Sequence, residues 1–238
     1  MWSIRDVKEK GKSALKRNYW RSVVVAALMF LLGAVTSALS RIRSESILQN
    51  VGFEPLHEMA PNELLIIAGI VVVGYMSIIV AAALVKIIFA NALEAGGCLF
   101  FRNNAEKESA EIALVREGFS DYAHVFVTLL LKDVFEVLWL CLGIIPGLVK
   151  NYSYKMVPYI VKEYPDRSEI EVITLSRRMM DGNKWRTFLL DLTFLGWLIA
   201  GIATFGFVSV LWSLPYYENT MAALFLELNG RQEVCLIG

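Results

Sequence analysis

Charge is scarce in this chain, and what there is cancels. Asp, Glu, Lys and Arg make up 19% of the 238 residues, with 23 cations against 23 carboxylates. That balance excludes a uniformly basic surface, so no nucleic-acid partner is expected. Histidine and cysteine are scarcer still. His57 and His124 stand alone, and Cys98, Cys141 and Cys235 show no metal-ligand spacing. An odd cysteine count in apolar surroundings excludes a disulfide framework. H-E-x-x-H zinc helices, G-x-S-x-G elbows and Walker loops are all missing. The sequence therefore implies no metal, no cofactor and no catalytic residue, and it points away from an enzyme.

What is plentiful is apolar. Hydrophobic residues reach 56%, against about 45–50% in soluble domains, and the mean hydropathy is +0.52. Residues 64–85 and 22–40 carry no charge, and three more apolar blocks lie between Ala123 and Leu228. A bilayer core takes about 20 apolar residues as helix. The expected fold class is all-α: a polytopic transmembrane helical bundle of about six spans, with five as the alternative, plus amphipathic interfacial helices. The spans fall near 22–40, 64–93, 122–145, 148–161, 184–204 and 206–228, within one integral membrane domain over 1–238.

Residues 1–21 read as a basic amphipathic helix. Ile4, Val7, Gly11, Ala14 and Leu15 share one face, and Lys8, Lys10, Lys12 and Lys16 fill the rest. Tyr19 and Trp20 sit where belt aromatics sit. Gly96-Gly97 is a natural terminator for the second span. Pro146 and Gly147 form a helix break. After it the chain either ends its helix near Tyr152 or turns and crosses back through 148–161. Ser168 and Glu171 form a capping box for an amphipathic helix over 168–180. This segment and the N-terminal one are both basic, and basic short segments prefer the cytoplasm. Only an even number of intervening crossings puts both there, which favours six spans and cytoplasmic termini.

The second half carries a recognisable pattern. It runs through Leu138-Trp139, Ile144-Ile145-Pro146-Gly147 and the stretch from Tyr152 to Ile160. It continues through Leu175 to Met180, Gly182-Asn183-Lys184-Trp185, Phe194-Leu195-Gly196-Trp197, Trp212 and Pro215-Tyr216-Tyr217. This resembles the bacterial integral membrane family filed as domain of unknown function 975. A more distant likeness is to the membrane domain attached to some glycerophosphodiester phosphodiesterases, whose catalytic domain this chain lacks. The resemblance implies a multi-pass protein of the bacterial cytoplasmic membrane and no reaction.

Ionisable residues inside spans are costly and are the best functional candidates. The candidate intramembrane polar cluster is Lys86, Lys132, Asp133, Glu136, Lys150, Lys155, Asp191, Tyr216, Glu218 and Asn219. Lys132 and Glu136 are four apart and can pair on one face, leaving Asp133 to meet Lys86. Glu218 is expected to face Asp191 and either Lys150 or Lys155. The function expected is a non-enzymatic membrane scaffold or accessory subunit. The alternatives are a small-solute or ion transporter and an intramembrane lipid-modifying enzyme. The expected partners are the lipid bilayer, with anionic lipids at the basic helices, and a protein partner or second copy of the chain.

Overall fold

The computed structural model describes residues 2–31, 61–85, 89–107 and 110–237. Helix dominates, and no strand occurs among the described residues. The chain forms two compact units, one of residues 1–29 with 91–238 and one of residues 30–90. Lys86, His57 and the loop 41–60 lie outside the described residues.

In the smaller unit, α3 (Pro61–Val85) is a 25-residue helix, about 37 Å long at 1.5 Å per residue. Ile66, Ile70, Val73, Met76 and Val80 are exposed, while Ile67, Val71, Gly74 and Ile78 form a half-buried stripe. By length and composition, one helix among the described residues, Lys184–Ala203, is long and apolar enough to cross a membrane. The apolar stretches Tyr19–Leu31 and Ile66–Ile78 are shorter.

The larger unit begins with α1 (Ile4–Arg17), which buries Val7, Gly11, Ala14 and Leu15 and leaves Lys12 and Lys16 exposed. Helix α2 (Tyr19–Leu31) follows. Helix α4 (Asn91–Glu106) runs straight through Gly96-Gly97, so the expected terminator is a correction. The reason is packing: a Cβ on Gly96 would stand 2.1 Å from the Val115 carbonyl oxygen. The glycine admits the 3-10 helix Ile112–Phe119 against α4.

Helix α5 (Tyr122–Leu142) ends at Gly143, and α6 (Ile144–Tyr154) returns beside it. Trp139 meets Lys150 and Phe135 meets Tyr154 across the pair, so the helices are antiparallel. The break thus falls one turn before Pro146. Pro146 sits in the first turn of α6, where a missing N–H costs nothing. Gly147 is needed there, since its Cβ would lie 2.9 Å from the Leu140 Cα.

Helix α7 (Val157–Glu163) continues upward and is wholly buried from Val157 to Val161. Helix α8 (Glu169–Met179) starts at the capping box: the Ser168 N–H donates to the Glu171 carboxylate at 3.0 Å. That bond holds the Glu171 carboxyl below its ordinary pKa. Helices α9 (Lys184–Leu192) and α10 (Leu195–Ala203) are separated by a break at Thr193 and Phe194. After a turn at Thr204–Gly206 and a π-helical stretch, Ser209–Ser213, α11 (Leu214–Ile237) closes the chain.

Candidate functional site

The sequence-derived polar residues separate into distinct groups. Lys132 on α5 lies 3.4 Å from Asp133 and 3.8 Å from Glu94 of α4, and it feels the charge of Glu136. Asp133 also accepts from Asn91 at 3.4 Å. Asp133 therefore turns toward its own neighbour rather than away.

A second group centres on Asp191 of α9. Its carboxylate takes Lys155 at 2.5 Å, the Tyr152 hydroxyl at 2.9 Å and the Tyr217 hydroxyl at 3.1 Å. Three donors on one carboxylate tie α6, α9 and α11 together. Glu218 is half-buried beside this group and senses Lys155 and Glu94. Asn219 belongs elsewhere. Asn104 donates to it at 2.7 Å, and Asn219 in turn donates to Ser22 at 3.3 Å and to the Pro215 carbonyl at 2.7 Å. Such fully satisfied buried amides fix one arrangement of α1, α2, α4 and α11. Asn91, Glu94, Asn104 and Tyr152 were not among the sequence-derived candidates; the only signal was a polar residue standing in an apolar stretch.

The Asp191 group also sets a level within the larger unit. Above it, Tyr159 stacks on Phe225 with centroids 5.1 Å apart, and Tyr164 donates to Asn229 at 3.0 Å. Successive residues of α6–α7 thus meet successive residues of α11, so the two run parallel. Gly143 lies twelve residues before Lys155, and Phe205 lies twelve before Tyr217. Both turns therefore hang about 18 Å below the Asp191 level, on the same side.

Toward the turns, beyond Lys150 on the first hairpin, the side chains are apolar and many are exposed. Leu142 is 73% exposed and Ile145 is 76% exposed, while Phe205 is 99% exposed at φ 51°. No charged residue occurs from 137 to 149 or from 192 to 217. The second turn satisfies its own backbone. The Phe205, Gly206 and Phe207 N–H groups donate to the Ile202, Gly201 and Thr204 carbonyls at 3.2, 2.8 and 3.1 Å. The Val208 N–H donates to the Thr204 hydroxyl, which donates onward to the Ala200 carbonyl.

From about the level of Lys150 upward the same elements are sheathed by charged helices. Helix α8 covers α5, α6 and α7, with Ser176 donating to the Ser153 carbonyl at 2.9 Å. Its outer face shows Glu171, Arg177 and Arg178. Helix α1 covers α11, with Lys10 paired to Glu227 at 3.0 Å.

Two basic clefts flank this level. One, of about 890 Å³, is lined by Arg5, Lys8, Lys12, Arg186 and Tyr216 among others. Several of its cations are engaged: Arg5 with Glu9, Lys8 with Thr193, Arg186 with the Trp2 carbonyl. The other, of about 330 Å³, gathers Lys150, Arg177, Arg178 and Lys184 with the single acid Asp181. Among the described residues no group of three His, Cys, Asp or Glu is placed to hold a metal ion.

A protein-family model matches part of this chain. The match is to DUF975, a protein of unknown function, over residues 143–232. It runs from the Gly143 turn through α6–α10 and into α11, and so takes in both bare turns, the Asp191 group and the second basic cleft. No curated protein and no solved structure matches the chain.

Proposed function

We propose that this chain is an integral protein of the bacterial cytoplasmic membrane that acts as a non-enzymatic scaffold or accessory subunit. In this reading the larger unit rests on the cytoplasmic face and drives two apolar wedges into the near leaflet. The observation that carries it is the split along each hairpin. A charged helix sheathes the upper part, and the lower part is bare, uncharged and capped by an apolar turn. An exposed charged helix such as α8 is expensive in hydrocarbon, so the α5–α7 segments it covers stay at the aqueous side. The charge-free ends, about 10 Å from the Gly143 turn to Lys150 on the first hairpin and about 18 Å from Phe205 to Tyr217 on the second, reach into the near half of a roughly 30 Å hydrocarbon core. A turn at that depth must satisfy its backbone internally, as the 204–208 turn does.

In this reading the six crossings expected from apolar content reduce to two, assigned from the uncharged sequence runs 22–40 and 64–85, while Lys184–Ala203, long and apolar enough to cross, is broken at Thr193–Phe194 and enters only by its α10 half. Two is also even, so the basic segments at 1–21 and 168–180 still share the cytoplasmic side. A transporter or a lipid-modifying enzyme has less support, because Lys132 and Asp191 are already matched by protein partners.

Sided labelling tests the reading. A membrane-impermeant maleimide is applied to right-side-out and inverted vesicles holding the full chain, cysteine-free except for Arg178→Cys or Ile145→Cys. The first is expected to react from the cytoplasmic side alone and the second from neither side. Reaction of the second from the outer side would restore the full crossing.

A further inference from the structure

The second basic cleft continues into an apolar one. Ile145, Leu148, Val149, Trp185 and Phe188 line a groove of about 380 Å³ between α6 and α9, and Lys184 belongs to both cavities. The groove lies on the bare part of the first hairpin. The cleft opens where that part meets the sheath, since Lys150 is seven residues, about 10 Å, from the Gly143 turn.

The four cations of the cleft outnumber its one acid, Asp181. Lys150 feels Arg177 and Lys184 as like charges, and none of the four forms an ion pair among the described residues. The Lys150 ammonium sits 4.3 Å over the Trp139 ring, which orients it without neutralising it. Below, Trp185 stacks on Phe188 at 5.2 Å, and Phe188 packs edge-on against Tyr152 at 6.1 Å. These rings form a wall for an extended chain. The other basic cleft has its own apolar lining in Trp2, Ile4 and Leu189, but Arg5, Lys8 and Arg186 there are engaged.

We infer that this composite cleft binds one anionic phospholipid, its phosphate among Lys150, Arg177, Arg178 and Lys184 and one acyl chain along the α6–α9 groove. Arginines can hold phosphate oxygens through two parallel N–H donors, and the lysines add mobile charge at the headgroup level. The apolar groove supplies what a free phosphate would not use. The site would anchor the first wedge at the leaflet surface and make the protein's seat depend on lipid composition. It rests on the half-depth reading above.

The test is lipid binding to the full-length protein in zwitterionic detergent, using fluorescent phosphatidylglycerol and phosphatidylcholine. Phosphatidylglycerol is expected to bind roughly tenfold to a hundredfold tighter. Arg177→Gln/Lys184→Gln is expected to remove that preference. Lys12→Gln/Lys16→Gln, which changes net charge equally, is expected to keep it. Trp185→Ala/Phe188→Ala is expected to weaken both lipids several-fold. Equal affinity for the two lipids, or equal loss in both charge variants, overturns the site. So does full displacement by glycerol phosphate at the lipid's own concentration, which would mark a phosphate cleft with no acyl contribution. A failed preference with Ile145→Cys still shielded from maleimide condemns the lipid site alone. An outward-reactive Ile145→Cys condemns the half-depth reading.

Discussion

The two ends of the α5–α6 hairpin obey different rules although one continuous sequence forms both. Near its open end, α8 lies over the pair, His124 contacts Glu169 at 3.4 Å, and Ser176 donates to Ser153. Near its turn, Leu142, Ile144 and Ile145 touch little and no polar group intervenes. The α10–α11 hairpin repeats the division, with α1 sheathing the part beyond Tyr216 and nothing covering Phe205 or Phe207. Apolar content alone does not separate these ends. What separates them is whether a charged amphipathic helix packs alongside.

The sharpest way to break the comparison is at the boundary. Asp191→Ala leaves Lys155 and two tyrosine hydroxyls without their acceptor, and it should cost about 3 kcal/mol of stability. Thermal unfolding in detergent checks this, and Lys155→Met added to it should recover part of the loss. At the bare end, Phe205→Asp should leave the sheathed body intact. It should still lower membrane incorporation by about 2.5–3 kcal/mol, read as the folded fraction recovered in vesicles. A turn in water would be indifferent to that change.

Gly147→Val forces a side chain onto the Leu140 backbone and should cost roughly 1–3 kcal/mol, splaying the first wedge while the Asp191 group persists. A double-label distance between residues 138 and 149 reports it. The smallest effect belongs to the sheath. The Glu171 carboxyl is held below its ordinary pKa by the Ser168 N–H, so its contribution is complete above the unfolded carboxyl's pKa of about 4.3. It fades as pH falls through the lower folded value. Unfolding midpoints should drop less on acidification in Glu171→Gln than in the parent.

Part of this architecture is legible in the residues. The Ser168–Glu171 box, the amphipathic face of α1 and the uncharged run through α3 follow from local chemistry, because each needs no distant partner. The glycine pair at 96–97 misleads because its role is close packing against Val115, which no local pattern encodes. Asp191 and Lys155 were both expected opposite Glu218, and they pair with each other. Asp133 meets Lys132 and Asn91, which α4 brings to that face, and the expected meeting with Lys86 lies outside the described residues. The division of the hairpins could not be read at all: it depends on α8 and α1 folding back over segments as apolar as true spans.

The most direct measurement is the depth of the two turns. Nitroxide labels at Ile145→Cys and Phe205→Cys, in the full chain in bilayers, report their distance below the phosphates from oxygen against nickel accessibility. The account predicts both labels inside the hydrocarbon of the near leaflet, Phe205 deeper than Ile145. Labels at the far interface, with high nickel accessibility, would contradict it and return the hairpins to full crossings.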